Sequence, residues 1–155
     1  MIYRLILILS AFTLAQVPAH AQDREVPYWA TLRANEVNMR VGPSADYKIA
    51  WVYRRQGLPV KVVRVMEGWR LIEDPDGDRG WVAARLLNPA HGAIVIGQDA
   101  VAMREDADGG SAIKWRLAPG VVGALGDCMR GWCELAVANR SGWVRQDSLW
   151  GAGEP

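Results

Sequence analysis

Short apolar stretches, each ended by turn-forming residues, run through most of the chain. Leu58–Met66 is rich in Val, Glu67-Gly68 predicts a tight turn, and Trp69–Glu73 predicts the returning strand. Pro75–Asp78 predicts a further turn before Gly80–Val82. Outside the N-terminal segment, no stretch shows a convincing helical period. The pattern therefore predicts an all-β fold of short strands.

The same pattern occurs twice. The separation between matching residues is 64 at the start (103 − 39), 63 in the middle (120 − 57) and 62 at the end (143 − 81). Small deletions in turns produce such drift when one fold has been duplicated. The matching residues are Asn38-Met39-Arg40, Trp51, Gly57, Trp69 and Gly80-Trp81 in the first copy, and Ala102-Met103-Arg104, Trp115, Gly120, Trp132 and Gly142-Trp143 in the second.

The repeat predicts two tandem units, residues 28–88 and 92–150, joined by Asn88–Gly92. Five or so strands in about sixty residues favour a small barrel or a two-sheet sandwich, because an open sheet of this size would expose both edges. Because the linker is short, we expect the two units to contact one another or to be restricted in orientation.

Charge alternates with apolar bulk in Ile113–Leu117, which is the period of a strand with one buried face. We therefore interpret most of the tryptophans as structural. The pattern predicts three inward side chains per unit: Ile113, Trp115 and Leu117 in the second and, by register, Ile49, Trp51 and Tyr53 in the first.

The N-terminal segment has the features of a secretory signal peptide. Arg4 precedes the apolar run Leu5–Ala15, and Ala19-His20-Ala21 has the small-x-small pattern of a cleavage site. We predict a signal peptide over residues 1–21, cleaved between Ala21 and Gln22; the alternative is an uncleaved anchor. No second apolar run of about eighteen residues follows. We therefore expect no stable membrane span after cleavage and a periplasmic or secreted location.

Charge excludes some classes of partner. Loss of Arg4 with the leader changes the formal net charge from +1 to 0, which argues against a general affinity for nucleic acid or anionic lipid. Lys and Arg minus Asp and Glu gives 10 − 7 = +3 for residues 28–88 and 6 − 7 = −1 for residues 91–150. That asymmetry is too small to identify a partner.

Cys128 and Cys133 are the only cysteines. In an exported protein, an even pair this close predicts a disulfide. A metal site would need more ligands, and after the leader the chain has one histidine, His91. Closing so short a loop stabilises the fold by about 2 kcal/mol.

The first unit resembles the bacterial SH3-like domain, which opens on N-V-R-S-G-P-S and ends on G-W-V. The match extends from about Leu32 to Leu87. It is carried by Val37–Ser44, Tyr47–Ile49, Gly57, Val60–Val65, Gly68-Trp69 and Gly80–Val82.

The second unit, Ile94–Leu149, looks like a diverged copy of the same domain. It keeps Met103-Arg104, Gly131–Cys133 and Gly142–Val144, but Glu105–Ala107 stands where Gly-Pro-Ser is expected. Its cysteine pair lies at a hairpin where exported proteins with two such domains tend to carry one. The resemblance implies a partly open five- or six-stranded barrel and a binding role.

The resemblance and the loop composition together indicate a candidate ligand-binding region. Its residues are Arg40, Gly42, Pro43, Ser44 and Tyr47. The guanidinium of Arg40 would clamp a ligand carboxylate, or it would fix its own loop by binding an acidic side chain or loop carbonyls. We favour the second role, because Arg104 persists in a copy without Gly-Pro-Ser.

Four aromatic residues are not assigned to the core: Tyr28, Trp29, Tyr47 and Trp150. Such side chains stack on ligands at binding surfaces. Trp29 and Trp150 alternatively plug the barrel edges or fill the interface between the units.

Catalysis and metal binding have little support. Asp74–Asp78 imitates a calcium loop, but Gly77 is at the fourth position instead of the sixth and Arg85 replaces the bidentate Glu, so we predict a turn. One histidine and two oxidised cysteines offer no activated nucleophile. The two units cover most of the chain after the leader, and we expect no catalytic domain, cofactor or metal.

Three functions remain open. The favoured hypothesis is a non-enzymatic, exported binding module for cell-wall peptide or an envelope protein. The alternative is a structural scaffold or assembly factor of the cell envelope that acts only through protein contacts. An enzyme would require His91 to meet a carboxylate and a nucleophile at the junction of the units.

Overall fold

The computed structural model describes residues 24–155. The signal peptide predicted for residues 1–21 and its cleavage site between Ala21 and Gln22 lie outside the described residues. Within 24–155, strands account for nearly all regular structure, and one short 3₁₀ turn lies near the end of each unit, at Ala84–Leu86 and at Gln146–Ser148. The prediction of an all-β fold is confirmed.

Each unit contains seven strands. The first has β1 (Tyr28–Leu32), β2 (Val37–Arg40), β3 (Ile49–Tyr53), β4 (Pro59–Met66), β5 (Trp69–Glu73), β6 (Arg79–Ala83) and β7 (Leu87–Asn88). The second has β8 (Gly92–Val95), β9 (Val101–Arg104), β10 (Ile113–Leu117), β11 (Val122–Met129), β12 (Trp132–Val137), β13 (Arg140–Arg145) and β14 (Leu149–Trp150).

The two sheets have the same topology. Their strand orders are β3-β2-β6-β5-β4-β1-β7 and β10-β9-β13-β12-β11-β8-β14. Adding seven to each strand number of the first sheet gives the order of the second. Each sheet has two strands more than the five predicted, partly because the last two residues of each unit pair back onto its first strand. The topology gives the sequence repeat a structural meaning: one fold occurs twice.

Each unit has its own core, built from the inward residues of alternating strands. The most buried side chains of the first core are Val37, Val60, Val62, Ile72 and Val82, and those of the second are Ala93, Met103, Cys133, Leu135 and Val144. Two separate small cores bury little area each, so single contacts matter to stability.

One contact explains two of the repeated motifs. A Cβ built on Gly142 would lie 2.6 Å from Met103 Cγ and 2.6 Å from the Arg104 carbonyl oxygen, and Gly80 meets Met39 in the same way. Methionine therefore lies flat against a glycine on the neighbouring strand. The Met-Arg and Gly-Trp motifs are repeated together because each supplies one side of this contact.

Of the six side chains of β3 and β10 predicted to point inward, only two are buried. Tyr53 and Leu117 are buried, but Trp51 is 60 % and Trp115 37 % exposed. Both tryptophans pair with a buried methionine and so lie on the predicted face, but they are on edge strands, where no further strand covers that face. A β-bulge in each edge strand also displaces the isoleucines, so that Ile49 and Ile113 lie opposite an arginine and are exposed.

The predicted disulfide is confirmed. Cys128 on β11 lies directly opposite Cys133 on β12, and their sulfur atoms are bonded. The first cysteine lies within β11, because this strand continues through Cys128 to Met129. The turn is only Arg130-Gly131, and both residues have positive φ (52° and 79°), as a tight two-residue hairpin requires.

The two units contact one another, as the short linker predicts. The indole of Trp29 in β1 packs edge-on against Trp150 in β14 with 4.7 Å between ring centroids, and its Nε1 donates to the Gly153 carbonyl at 2.8 Å. Arg55 Nη1 donates to the Gly120 carbonyl at 2.5 Å. Trp29 and Trp150 therefore fill the interface between the units.

We predict that Gly142→Ala destabilises the protein by about 1–3 kcal/mol, because the added methyl collides with Met103 and a backbone carbonyl. Gly109→Ala in the same unit is the matched control, since no atom lies within 4 Å of the new methyl. Thermal denaturation followed by circular dichroism compares the two. Equal melting temperatures would contradict the role given to the Met-Gly contact.

Candidate binding site

The loop of residues 41–48, between β2 and β3, is held by its own hydrogen bonds. Arg40 Nη1 donates to the Tyr47 carbonyl at 2.6 Å, and Val41 N donates to the Lys48 carbonyl at 3.1 Å. In the second unit, Arg104 Nη1 donates to the Ser111 carbonyl at the matching position. Both arginines thus make the loop-fixing contact favoured from the sequence.

The remaining predicted residues form the body of this loop. Gly42 is buried because the ring of Tyr47 packs on it: a Cβ there would lie 2.6 Å from ring atoms. Ser44 Oγ accepts the N–H of Asp46 at 3.2 Å, and Pro43 is half-buried. Tyr47 itself is 49 % exposed, so the loop presents its ring to solvent in a fixed position.

A cleft of about 360 Å³ lies beside this loop. Of the five predicted site residues only Arg40 lines it; Gly42, Pro43, Ser44 and Tyr47 do not. Trp69 at the start of β5 and Arg85 in the 3₁₀ turn lie on its wall. We call it the Trp69 cleft; its lining residues are Asn38, Arg40, Ala45, Gly68, Trp69, Ala83, Ala84, Arg85 and Leu86.

The Trp69 cleft combines an aromatic wall with positive charge. Arg40 and Arg85 are its two charged residues, and no carboxylate lines it. Within residues 24–155, Arg85 is exposed and makes no hydrogen bond or ion pair. An unpaired guanidinium beside an apolar surface is suited to a ligand with a carboxylate and an apolar group.

The second unit has a cleft of about 370 Å³ at the same place, lined by Gly131, Arg145, Gln146, Asp147 and Ala152, but its tryptophan does not line that cleft. Trp132 replaces Trp69, Arg145 replaces Ala83 and Asp147 replaces Arg85. The Arg145 guanidinium carbon lies 5.4 Å from the Trp132 ring centroid, and its Nη2 lies 3.0 Å from Asp147 Oδ2. The hydrogen bond from Arg145 lowers the pKa of Asp147. Only the first unit leaves this tryptophan uncovered.

Sequence reasoning missed Trp69 and Arg85. Both were passed over because Gly-Trp belongs to the repeated framework and Arg85 appeared only as a departure from a calcium loop. The signal was present in the repeat itself: charge is reversed between Arg85 and Asp147, and the small, uncharged Ala83 corresponds to the long, charged Arg145. Strand pairing shows that these differences fall around one ring.

The acidic turn at 74–78 is structural, as predicted. Asp74 is buried; its Oδ2 accepts the Tyr53 hydroxyl at 2.9 Å, and its Oδ1 accepts the N–H groups of Asp76 (3.0 Å) and Asp78 (2.9 Å). Burial, followed by the hydrogen bond to Asp74, raises the pKa of Tyr53 well above its usual value. Among the described residues, no group of three or more His, Cys, Asp or Glu side chains is placed to hold a metal ion.

The cleft around His91 offers no partner for catalysis. It has a volume of about 330 Å³, and His91 on its edge is exposed. No Asp, Glu, Ser or Cys belongs to its lining residues. Thr31 supplies the one hydroxyl among its lining residues, and that hydroxyl donates to the Ala90 carbonyl at 3.2 Å. The carboxylate that the enzymatic hypothesis needed is not among the lining residues.

Comparison with known protein families agrees with this geometry. The family model for the bacterial SH3 domain matches the chain twice, at residues 33–89 and 97–151. The protein belongs to the bacterial SH3 domain family. The resemblance noted in the sequence is thereby confirmed for both units, including the diverged second one.

Several solved structures align with the chain at low similarity. NlpC2 and NlpC1 from Trichomonas vaginalis are 10 % identical, with TM-scores of 0.37 and 0.36; 83 % of this chain aligns with 49 % and 47 % of theirs. An NlpC/P60 family protein from Bacillus cereus is also 10 % identical, with a TM-score of 0.36 over 79 % of this chain and 56 % of that one. The chain thus spans about half the length of these proteins. No curated protein matches it.

We predict that Arg40→Ala lowers stability by about 1 kcal/mol, because the Tyr47 carbonyl and the loop lose a charged hydrogen bond. Arg116→Ala is the control, since Arg116 is exposed and makes no such contact within the described chain. Differential scanning calorimetry measures both. An unchanged transition for Arg40→Ala would show that the loop does not depend on this bond.

Proposed function

We propose that this bacterial SH3 protein is an exported, non-enzymatic binding module that recognises cell-wall peptide or an envelope protein through the Trp69 cleft. The observation that carries the proposal is the difference between the two units at one position. In the second unit Trp132 is buried and Arg145 is paired with Asp147, whereas in the first unit Trp69 lines the cleft beside the unpaired Arg85.

The chemistry of the cleft limits the ligand. Arg40 uses one N–H on the Tyr47 carbonyl and retains other donors, and Arg85 has all of its donors available within the described chain. A carboxylate from a peptide terminus or an acidic side chain would satisfy both guanidinium groups, while an adjacent apolar group packs on Trp69. Cell-wall peptides carry carboxylates of this kind, which is why we place them first.

The alternative function, a scaffold or assembly factor of the cell envelope, has an observation of its own. Four large apolar side chains are exposed within the loop 41–48 and β3: Val41, Tyr47, Ile49 and Trp51. Exposed apolar side chains concentrated in one segment are typical of protein interaction surfaces. In the second unit, Glu105 and Ser111 replace Val41 and Tyr47. A protein ligand would therefore use the first unit in preference to the second.

Export rests on the predicted leader and on the disulfide. A disulfide between Cys128 and Cys133 is consistent with an oxidising compartment, as expected for a periplasmic or secreted protein. Among the described residues, no helix combines the length and apolar character that crossing a bilayer requires.

We predict that the protein sediments with purified peptidoglycan. Arg85→Glu should abolish this retention, because the carboxylate that it introduces repels the carboxylate of the ligand. Arg116→Glu is the matched control: it makes the same charge reversal at a second exposed arginine that makes no contact in residues 24–155. Sedimentation at physiological salt, scored by the bound fraction, is the measurement.

Two results would count against the proposal. Wild-type protein that stays in the supernatant would remove cell-wall peptide as the ligand and favour the scaffold. Equal retention of wild type and Arg85→Glu would move the binding site away from the Trp69 cleft.

A double variant tests the comparison between the units directly. Ala83→Arg with Arg85→Asp copies the second unit's Arg145 and Asp147 into the first. We predict a folded protein whose Trp69 is covered by its own arginine and whose retention on peptidoglycan is lost. Near-ultraviolet circular dichroism verifies the fold. Retention equal to wild type would mean that an uncovered Trp69 is not needed.

A further inference from the structure

A second pair of tryptophans differs between the units in a way that the proposed cleft does not explain. Trp51 on β3 pairs with Met39, and Trp115 on β10 pairs with Met103, so the two indoles occupy the same register. In the second unit, the guanidinium carbon of Arg140 lies 4.0 Å from the Trp115 ring centroid. This is the geometry of a cation–π contact. In the first unit, Trp51 is 60 % exposed.

An acidic residue stands in the first unit where the second has this arginine. Gly80 and Gly142 make the same contact with methionine, and Asp78 and Arg140 each lie two residues before their glycine. The same equivalence follows from register, because Glu73 pairs with Arg79 as Ala136 pairs with Ser141. The position that supplies a cation over the indole in the second unit therefore carries a carboxylate in the first.

The carboxylate of Asp78 is available to a ligand. Asp78 N donates to Asp74 Oδ1 at 2.9 Å and its carbonyl accepts from Asp74 N at 3.0 Å, so the turn is fixed by the backbone of Asp78. Within the described chain its side-chain oxygens make no hydrogen bond or ion pair, and those of Asp76 make none either. Both carboxylates are close enough to Tyr53, two residues after Trp51 on the same strand, to contribute to its raised pKa.

We propose that the open face of Trp51, together with the carboxylates of Asp78 and Asp76 near the neighbouring Tyr53, binds an arginine side chain supplied by a partner protein. The guanidinium would take the position over the indole that Arg140 takes over Trp115, and the carboxylates would supply the acceptors that the second unit lacks there. A planar guanidinium both stacks on an indole and pairs with a carboxylate, which a lysine ammonium does less well.

This arginine site differs from the Trp69 cleft in its residues and in the sign of its charge. Trp51, Asp76 and Asp78 do not line the Trp69 cleft, whose charged residues are both cationic. Because the two sites share no residue, loss of one leaves the other testable. A partner protein with a basic side chain at its surface also fits the exposed edge strand β3, whose free side has no neighbouring strand.

The experiment is a titration of the ¹⁵N-labelled full-length exported protein with a blocked peptide, acetyl-Gly-Gly-Arg-Gly-Gly-amide. The signal is the indole N–H resonance of Trp51, assigned by its loss in Trp51→Phe. The matched peptide carries citrulline, which has nearly the shape of arginine without its charge. We expect a saturable shift of this resonance at millimolar concentrations of the arginine peptide. The dissociation constant of the citrulline peptide should be larger by a factor of about 2–5 or more.

Variants make the test specific. Asp78→Asn weakens binding of the arginine peptide, and Asp78→Arg abolishes it, because the introduced arginine covers Trp51 as Arg140 covers Trp115. Asp99→Asn, a change at an exposed carboxylate with no contact in the described residues, leaves binding unchanged. Arg85→Glu also leaves it unchanged, which separates this result from the fate of the proposed peptidoglycan function.

Four outcomes would overturn the proposal. They are no saturable shift of Trp51, equal affinity for the arginine and citrulline peptides, equal affinity for a lysine peptide, and unchanged binding by Asp78→Arg.

Discussion

The closure of each sheet depends on a methionine that lies flat against a glycine. β2 and β6 are joined at a single residue pair, Arg40 and Trp81, and β9 and β13 at Arg104 and Trp143. So narrow a ladder needs side-chain packing to hold it, and Met39 on Gly80 and Met103 on Gly142 provide that packing. The edge strands β3 and β10 pair only with β2 and β9, so they join the rest of each sheet through the strands that this contact holds. The arginine that fixes each loop and the tryptophan on each edge strand therefore take their positions from it.

On this shared backbone, the two units differ mainly in what covers their aromatic rings. In the second unit, Arg140 lies over Trp115 and Arg145 over Trp132. In the first unit the corresponding residues are Asp78 and Ala83, so Trp51 is exposed and Trp69 forms a cleft wall. An arginine that lies over an indole makes a cation–π contact with it and occupies that face of the ring. An indole without such a contact keeps the face available to a ligand. This difference is the reason that we propose the first unit as the one that binds a ligand.

The second unit contributes to the first through their interface. Trp29, in the first strand of the chain, packs on Trp150 and donates to the Gly153 carbonyl near the C-terminal end. Arg55 and Gly120 add a hydrogen bond between the two units. The disulfide stabilises the second unit, whose small core gains most from a covalent link. The second unit, with its disulfide, therefore stabilises the first unit, for which we propose ligand binding.

The sequence by itself determined the all-β class, the two copies and the disulfide, because each follows from residues that are near in the chain or repeated at a fixed distance. For Arg40 it left two roles open and favoured the loop-fixing one, and the structure shows the hydrogen bond to the Tyr47 carbonyl that this role needs. The sequence also predicted the face of Trp51 and Trp115 correctly but not their exposure. Alternation reports which side of a strand a residue lies on, whereas burial depends on whether another strand covers that side. The Trp69 cleft was decided by tertiary structure alone: Arg40, Trp69 and Arg85 are separated in sequence, and only the pairing of β2 with β6 and of β6 with β5 brings them to one surface.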